Sequence, residues 1–298
     1  MKKHPNIDLH IHSSYSDDGE LSISEIVEKC VENGVNIFTI SDHDRVQGNE
    51  EAAGLAGKHK LSFISGIEVS CCYNGIDLHL LGFNISWQSK DFAELDKEVT
   101  QKAMASFSEM IKNLQKLGFI VDSDEIQRKA NGKVPTAELI AEVLLSDKKY
   151  EVEKLKPYMA GGERSDMPYI NFYLDYFAQG KPAYVPIAYM SFTDAVALVK
   201  DNGGTPVVAH PGLNLKGREE LVEQLLDNGA MGMEVFNNYH SDEQLTYFGE
   251  LAQKRKVIMT CGSDFHGKTK PLINVGRYKL NEKYYDYLAN SVDKLLIR

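Results

Sequence analysis

Apolar and polar positions along this chain alternate with two different periods, and the segments of each kind follow one another in order. Ile7 to Ile11 reads as a strand. Ser22-Ile23-Ser24-Glu25 is a capping box that opens an amphipathic helix ending near Gly34. Asn36 to Ser41 is the next strand, and residues 46–58 form a second helix. Leu61 to Ser70 and Asp77 to Asn84 are further strands. From about residue 88 to 180 the strand period disappears. Residues 91–117 are long, charged and helix-periodic up to Gly118, and shorter helical patterns follow at 122–130, 135–147 and 169–179.

After Gly180-Lys181-Pro182 the alternation returns. Helices are predicted at 191–202, 217–228, 241–254 and 283–296, and strands at 205–209, 231–236, 257–261 and 273–279. Repeated strand–helix units imply an α/β protein with a parallel sheet and right-handed crossovers. Their number favours a barrel over an open sheet, although spacing alone does not choose between them. The organisation is a barrel in two parts, residues 1–87 and 181–298, interrupted by an all-helical insertion at 88–180.

Composition narrows the function classes. Apolar residues make up 43% and charged residues 26%, with a net charge of −10. That balance argues against a long nucleic acid as partner and leaves room for a small anion in a local cationic site. Cys30, Cys71, Cys72 and Cys261 form no C-x-x-C pair, so reduced thiols are expected. Met1-Lys2-Lys3-His4-Pro5 carries no apolar signal segment. No stretch approaches the ~20 apolar residues of a membrane span, so the expected location is the cytoplasm.

Nine histidines are present, and the placement of six of them points to the chemistry. His10 and His12 lie two apart on a strand, which puts both imidazoles on one side. Asp264 and His266 repeat that spacing after a late strand. Between them, Asp17 follows the first strand, His43 the second, Glu68 lies near the end of the third, His79 within the fourth, and His210 follows Thr205 to Ala209. Strand C-termini are where barrel and open-sheet active sites form. Nitrogen and oxygen donors without a placed cysteine suit manganese, iron or zinc, and these donors would serve two or three divalent ions. A site of that charge suits a phosphate dianion.

Asp8-Leu9-His10-Ile11-His12-Ser13, Ser16-Asp17, Ser41-Asp42-His43-Asp44, Gly66-Ile67-Glu68, His79-Leu80-Leu81-Gly82, Ala209-His210-Pro211-Gly212, Gly232-Met233-Glu234-Val235 and Gly262-Ser263-Asp264-Phe265-His266 together resemble the polymerase-and-histidinol-phosphatase (PHP) superfamily of metal-dependent phosphoesterases. The helical insertion resembles the small-nucleotide phosphatase branch. The resemblance implies a distorted seven-stranded (β/α) TIM-like barrel with up to three ions, manganese foremost. One ion would take His10, His12, Glu68 and Asp264, with Glu68 bridging to a second held by His79 and His210. The third would take Asp17, His43 and His266. Catalysis would rest on Glu68, Asp264 and His266, and a metal-activated hydroxide would hydrolyse a phosphate monoester. Asp8 and Asp42 are expected to orient imidazoles.

That branch is expected to bring arginines from the insertion to the substrate, yet the matching stretches read Ser106-Phe107-Ser108 and Pro135-Thr136-Ala137-Glu138. Lys181, Lys102, Arg128 and Arg164 are the candidate replacements, Lys181 foremost because residues 180–185 fit the family's exit from the insertion. A nucleotide-like phosphate is the expected substrate. The alternatives are a 5′-3′ exonuclease on short RNA, a histidinol-phosphate phosphatase, and a regulatory barrel that binds metal or nucleotide without turnover. An amidohydrolase would end in a lone aspartate rather than Asp-x-His.

Overall fold

Buried alternation sets the strands, and capped amphipathic faces set the helices that cover them. A computed structural model describes residues 6–297; the Met1–Pro5 stretch, read above for the absence of a signal segment, lies outside the described residues. The first part contains β1 (Asn6–Asp8), α1 (Ile23–Asn33), β2 (Val35–Phe38), α2 (Gly48–His59), β3 (Ser62–Phe63), β4 (Gly66–Tyr73) and β5 (Ile76–Phe83). Then come helices α3 (Lys90–Lys116), α4 (Ser123–Ala130), α5 (Ala137–Ser146) and α6 (Pro168–Tyr176). The last part runs β6 (Met190–Ser191), α7 (Phe192–Asp201), β7 (Thr205–Val208), α8 (Pro211–Asn214), α9 (Leu221–Asp227), β8 (Gly232–Phe236), α10 (Asp242–Arg255), β9 (Ile258–Cys261) and α11 (Tyr285–Leu296).

The capping box read from the sequence is formed, and a second one opens α10. Ser22 Oγ accepts from the Glu25 amide at the start of α1, and Ser241 does the same for Gln244 at the start of α10. The core divides as the elements do. The six-stranded sheet and its flanking helices share one cluster that includes Leu80, Val207, Met233 and Phe248, and α1 and α2 pack with Phe38 and Ile40 in another. The helices between β5 and β6 pack around a separate one that includes Leu114, Ile140, Leu144 and Phe172.

The sheet is mixed rather than parallel. Strands β1-β2-β3 form one sheet and β6-β4-β5-β7-β8-β9 the other. β4 pairs antiparallel with β5, and β5 antiparallel with β7; every other pairing is parallel. The reason is local. Asn74 and Gly75, both at positive φ (50° and 75°), make a two-residue turn that returns the chain against β4. No crossover helix fits in two residues, so the parallel repeat breaks here.

Among the described residues no continuous ladder closes the two sheets into a barrel. They meet at isolated bridges between Ile11 and Phe265 and between His43 and Glu68. The segment expected as a last strand at 273–279 joins no ladder. Side chains hold it instead: Asn33 donates to the Val275 carbonyl, and Asp8 accepts from the Gly276 amide at 2.6 Å.

Candidate metal centre

Beyond β1 the chain threads between the ends of β2 and β9. The Leu9 amide donates to Cys261 O, Asp264 N to His10 O, His12 N to Phe265 O, and Ser41 N to Ile11 O. Extended backbone there keeps His10 and His12 on one side, with ring centroids 5.2 Å apart. Gly262 permits the approach. A Cβ on it would stand 2.2 Å from His10 Cβ and 2.8 Å from Glu234 Oε1. Two cluster residues occupy left-handed backbone without being glycine, Asp264 (φ 59°) and His210 (φ 20°), as happens where a site over-determines its backbone.

The donor atoms converge on Glu68, which is fully buried at 0% exposure. Its Oε2 lies 3.0 Å from His10 Nε2, 3.1 Å from His12 Nε2 and 3.3 Å from His43 Nδ1. Its Oε1 lies 3.1 Å from His79 Nδ1 and 3.0 Å from His210 Nε2. Asp264 Oδ1 stands 3.4 Å from His10 Nε2 and 3.2 Å from His12 Nε2. Around His266 Nε2 and His43 Nε2 the carboxylate is that of Asp18, at 3.2 and 3.8 Å. Two donors about 2.1 Å from a shared ion at ordinary coordination angles are themselves about 3.0–3.4 Å apart. The donor set therefore has the spacing of a metal site.

Its polar atoms are also unsatisfied without one. His12 Nε2, His43 Nδ1, His79 Nδ1, His266 Nε2 and Asp18 Oδ1 are buried and have no hydrogen-bond partner. An orphaned buried donor or acceptor costs about 1–3 kcal/mol, so several aimed at one place call for a ligand. Burial favours the neutral acid at Glu68, but the imidazoles of His10, His79 and His43 outweigh it and hold the carboxyl well below its usual range.

Outward partners fix the imidazoles. His10 Nδ1 donates to Glu234 at 3.2 Å, His210 Nδ1 to Asn214 Oδ1 at 2.6 Å, and His266 Nδ1 to the Asp264 carbonyl at 3.0 Å. Each leaves an Nε2 lone pair facing the cluster. His12 Nδ1 meets Ser16 Oγ at 3.2 Å, and the same hydroxyl accepts from the His43 amide.

Residues 8–154 match the family model described as the PHP domain. A 3′,5′-nucleoside bisphosphate phosphatase from Chromobacterium violaceum is 28% identical over 88% of this chain and 87% of its own. A 5′-3′ exoribonuclease from Salmonella typhimurium is 28% identical over 91% of this chain and 88% of its own. A phosphoribosyl 1,2-cyclic phosphate 1,2-diphosphodiesterase from Eggerthella lenta is 28% identical over 90% and 97%. Among solved structures, a C. violaceum protein described as an amidohydrolase with bound sulfate superposes with a TM-score of 0.78 over 96% of both chains at 26% identity. The chain belongs to the PHP superfamily of phosphoesterases.

Within this PHP protein the cluster brings together eight of the nine donors read from the sequence: His10, His12, His43, Glu68, His79, His210, Asp264 and His266. Asp17 is elsewhere. Its Oδ1 pairs with Arg45 Nη1 at 2.9 Å and accepts from the Val134 amide at 3.1 Å. Asp18, one residue later, points to the opposite side and takes the inner position. Two adjacent aspartates both satisfied the loop criterion; only the local turn decides which faces the histidines.

Asp8 and Asp42 touch no imidazole. Asp8 accepts from the His10, Ser263 and Gly276 amides, and Asp42 accepts from Ser13 N and Oγ. They brace the backbone that carries the cluster histidines, and burial pushes Asp8 up to about 6. The carboxylate that does orient an imidazole is Glu234, legible in advance only as part of the Gly232–Val235 motif. Lys270 and Tyr239 also reach the cluster unannounced, at Asp264 Oδ2, and Glu138 is buried within the electrostatic reach of Asp18. Burial first, and the Asp18 charge second, push Glu138 up to about 7.

The candidate cations do not gather. Arg164 pairs with Asp175 within the helical segment, and Lys102 meets Glu98 and the Ala188 carbonyl. Arg128 and Lys181 are exposed. Other cations tie the helices to the Asp17–Asp18 loop. Arg45 joins Asp17 to Asp96 of α3 and donates to Thr100, while Lys133 donates to the Ser14 and Ser16 carbonyls. The four cysteines are free, and among the described residues no helix is long and apolar enough to cross a membrane.

Proposed function

We propose that this PHP protein hydrolyses a phosphate monoester on a small, nucleotide-like molecule in the cytoplasm, using up to three divalent ions, manganese foremost. The carrying observation is the set of orphaned, buried donor atoms facing one another around Glu68. His10, His12, Glu68 and Asp264 would hold the first ion, and Glu68 with His79 and His210 the second. Asp18, His43 and His266 would hold the third, with His12 beside it. Such ions supply acidified water and positive charge for phosphoryl oxygens. Glu68 would bridge, and Asp264 and His266 would carry the catalytic positions at the ends of the set. Glu234, Asn214 and Ser16 keep the imidazoles in place for that task.

The nearest support for the substrate class is the resemblance to a nucleoside bisphosphate phosphatase over nearly the whole chain. A barrel at 1–87 and 181–298 would carry the chemistry, and the helical segment 88–180 would stand over it and select substrate, with Lys181 at its exit. The deciding experiment offers four substrates with added manganese: a nucleoside 3′,5′-bisphosphate, a 5′-phosphorylated short RNA, a ribosyl cyclic phosphodiester and an aryl phosphate. Turnover of the bisphosphate and the aryl phosphate is expected to dominate. Hydrolysis confined to RNA or to the cyclic diester would overturn the monoesterase reading.

A second measurement bears on the centre itself. Gently purified protein is expected to hold two to three transition-metal ions per chain. Chelation should lower the melting temperature, because a ligand at 100 times its Kd adds about 2.7 kcal/mol to the folded state. At most one ion per chain after manganese soaking would contradict the shared-ligand arrangement.

A further inference from the structure

Asp264 has two oxygens in unlike surroundings. Oδ1 faces the Nε2 atoms of His12 and His10, at 3.2 and 3.4 Å. Oδ2 is turned away and held twice: the Lys270 ammonium donates to it at 2.6 Å and the Tyr239 hydroxyl at 2.6 Å. Lys270 is a buried cation, 8% exposed, and its ammonium lies 5.4 Å from the centre of the Tyr239 ring. The tyrosine is in turn placed against the cluster, with its ring edge-on to His210 at 5.9 Å. Lys270 closes the turn that follows His266, its amide donating to the Gly267 carbonyl. The ligand pair Asp264 and His266 and the cation that holds Asp264 thus come from a single stretch of seven residues, 264–270.

A lysine beside a metal cluster needs a reason, because its charge repels the ions the carboxylates attract. The geometry supplies one. A free carboxylate can meet an ion through one oxygen or chelate it through both. Two charge-assisted or short hydrogen bonds on Oδ2 remove the second choice and stop the carboxylate from rotating. We infer that Lys270 and Tyr239 are positioning residues that confine Asp264 to one ligating oxygen, Oδ1, and so keep a coordination place open on the ion it shares with His10, His12 and Glu68.

This inference rests on the reading of the cluster as a metal centre, and cobalt substitution separates the two. Cobalt(II) absorbs visible light more weakly as its coordination number rises, so the spectrum reports whether Asp264 chelates. Wild-type protein is expected to take up cobalt with intense visible bands; no uptake would overturn the metal-centre reading itself and this inference with it. In Lys270→Met, bound cobalt per chain should stay unchanged while absorbance per bound ion falls. Phosphoesterase turnover should drop about 10–100-fold, the usual consequence of losing an outer partner of a ligand. Lys270→Arg should restore much of the wild-type spectrum. Tyr239→Phe removes only a hydroxyl and should shift the spectrum in the same direction by less, and it decides the matter if Lys270→Met does not fold. Spectra of Tyr239→Phe and Lys270→Met that superimpose on the wild type would overturn the inference. So would loss of a cobalt equivalent in Tyr239→Phe, which would make the pair necessary for holding the ion rather than for limiting its ligands.

Discussion

Glu68→Gln is expected to lower phosphoester hydrolysis at least ~100-fold while the protein still folds. Five imidazoles come within 3.3 Å of this one carboxylate, three at Oε2 and two at Oε1. Glutamine keeps the shape but loses the charge that would allow two cations to sit close together. Its amide would also aim two N–H donors at nitrogens that need to offer lone pairs. The backbone role of the residue survives, since Glu68 N donates to the Asp42 carbonyl and Glu68 O accepts from the Asp44 amide. The loss should therefore appear in kcat and in bound metal, with the circular-dichroism spectrum of the fold retained. Near-normal turnover in Glu68→Gln would remove the bridging role.

The neighbouring aspartates provide the second large effect, and it is a contrast. Asp18→Asn should cost at least ~100-fold in turnover and about one metal equivalent, because its carboxylate is the one set against His266 and His43. Asp17→Asn should leave the metal count intact. Its carboxylate instead anchors Arg45 and the Val134 amide, so its loss should loosen the helices against the loop. An ion pair with both partners this shielded is worth more than the ~0–1 kcal/mol of a surface pair, so a measurable fall in stability is expected for Asp17→Asn. Elemental analysis and thermal melts on the two variants separate the roles. If Asp17→Asn lost the ion and Asp18→Asn kept it, the assignment made from the structure would be reversed.

Much of this was legible in the sequence, and for a physical reason. Periodicity is local, so helices opened by capping boxes, such as α1 and α10, stand where the pattern put them. The gathering of the donors was legible too, because a two-residue spacing on extended chain leaves no choice of side for His10 and His12. The same holds for His210, which comes just after the end of β7.

What the sequence left open depended on contacts across the chain. The Asn74–Gly75 turn reverses one strand and makes the sheet mixed, although the apolar runs on either side read alike in both directions. Asp17 and Asp18 are chemically identical, and only the fold of their loop, held by Arg45 and the Val134 amide, sends one inward and the other toward the helices. Asp8 and Asp42 sit near cluster histidines in sequence but brace backbone, while Glu234, far from His10 along the chain, orients its ring. Lys270 shows the limit most clearly. A lysine next to a proline reads as surface charge, and it becomes a buried partner of Asp264 only because the turn after His266 folds back onto Tyr239. Residue type and spacing determined which donors this chain can offer; the tertiary structure decided which oxygen and which nitrogen face the cluster, because side-chain direction at a loop is set by partners that lie distant in the sequence.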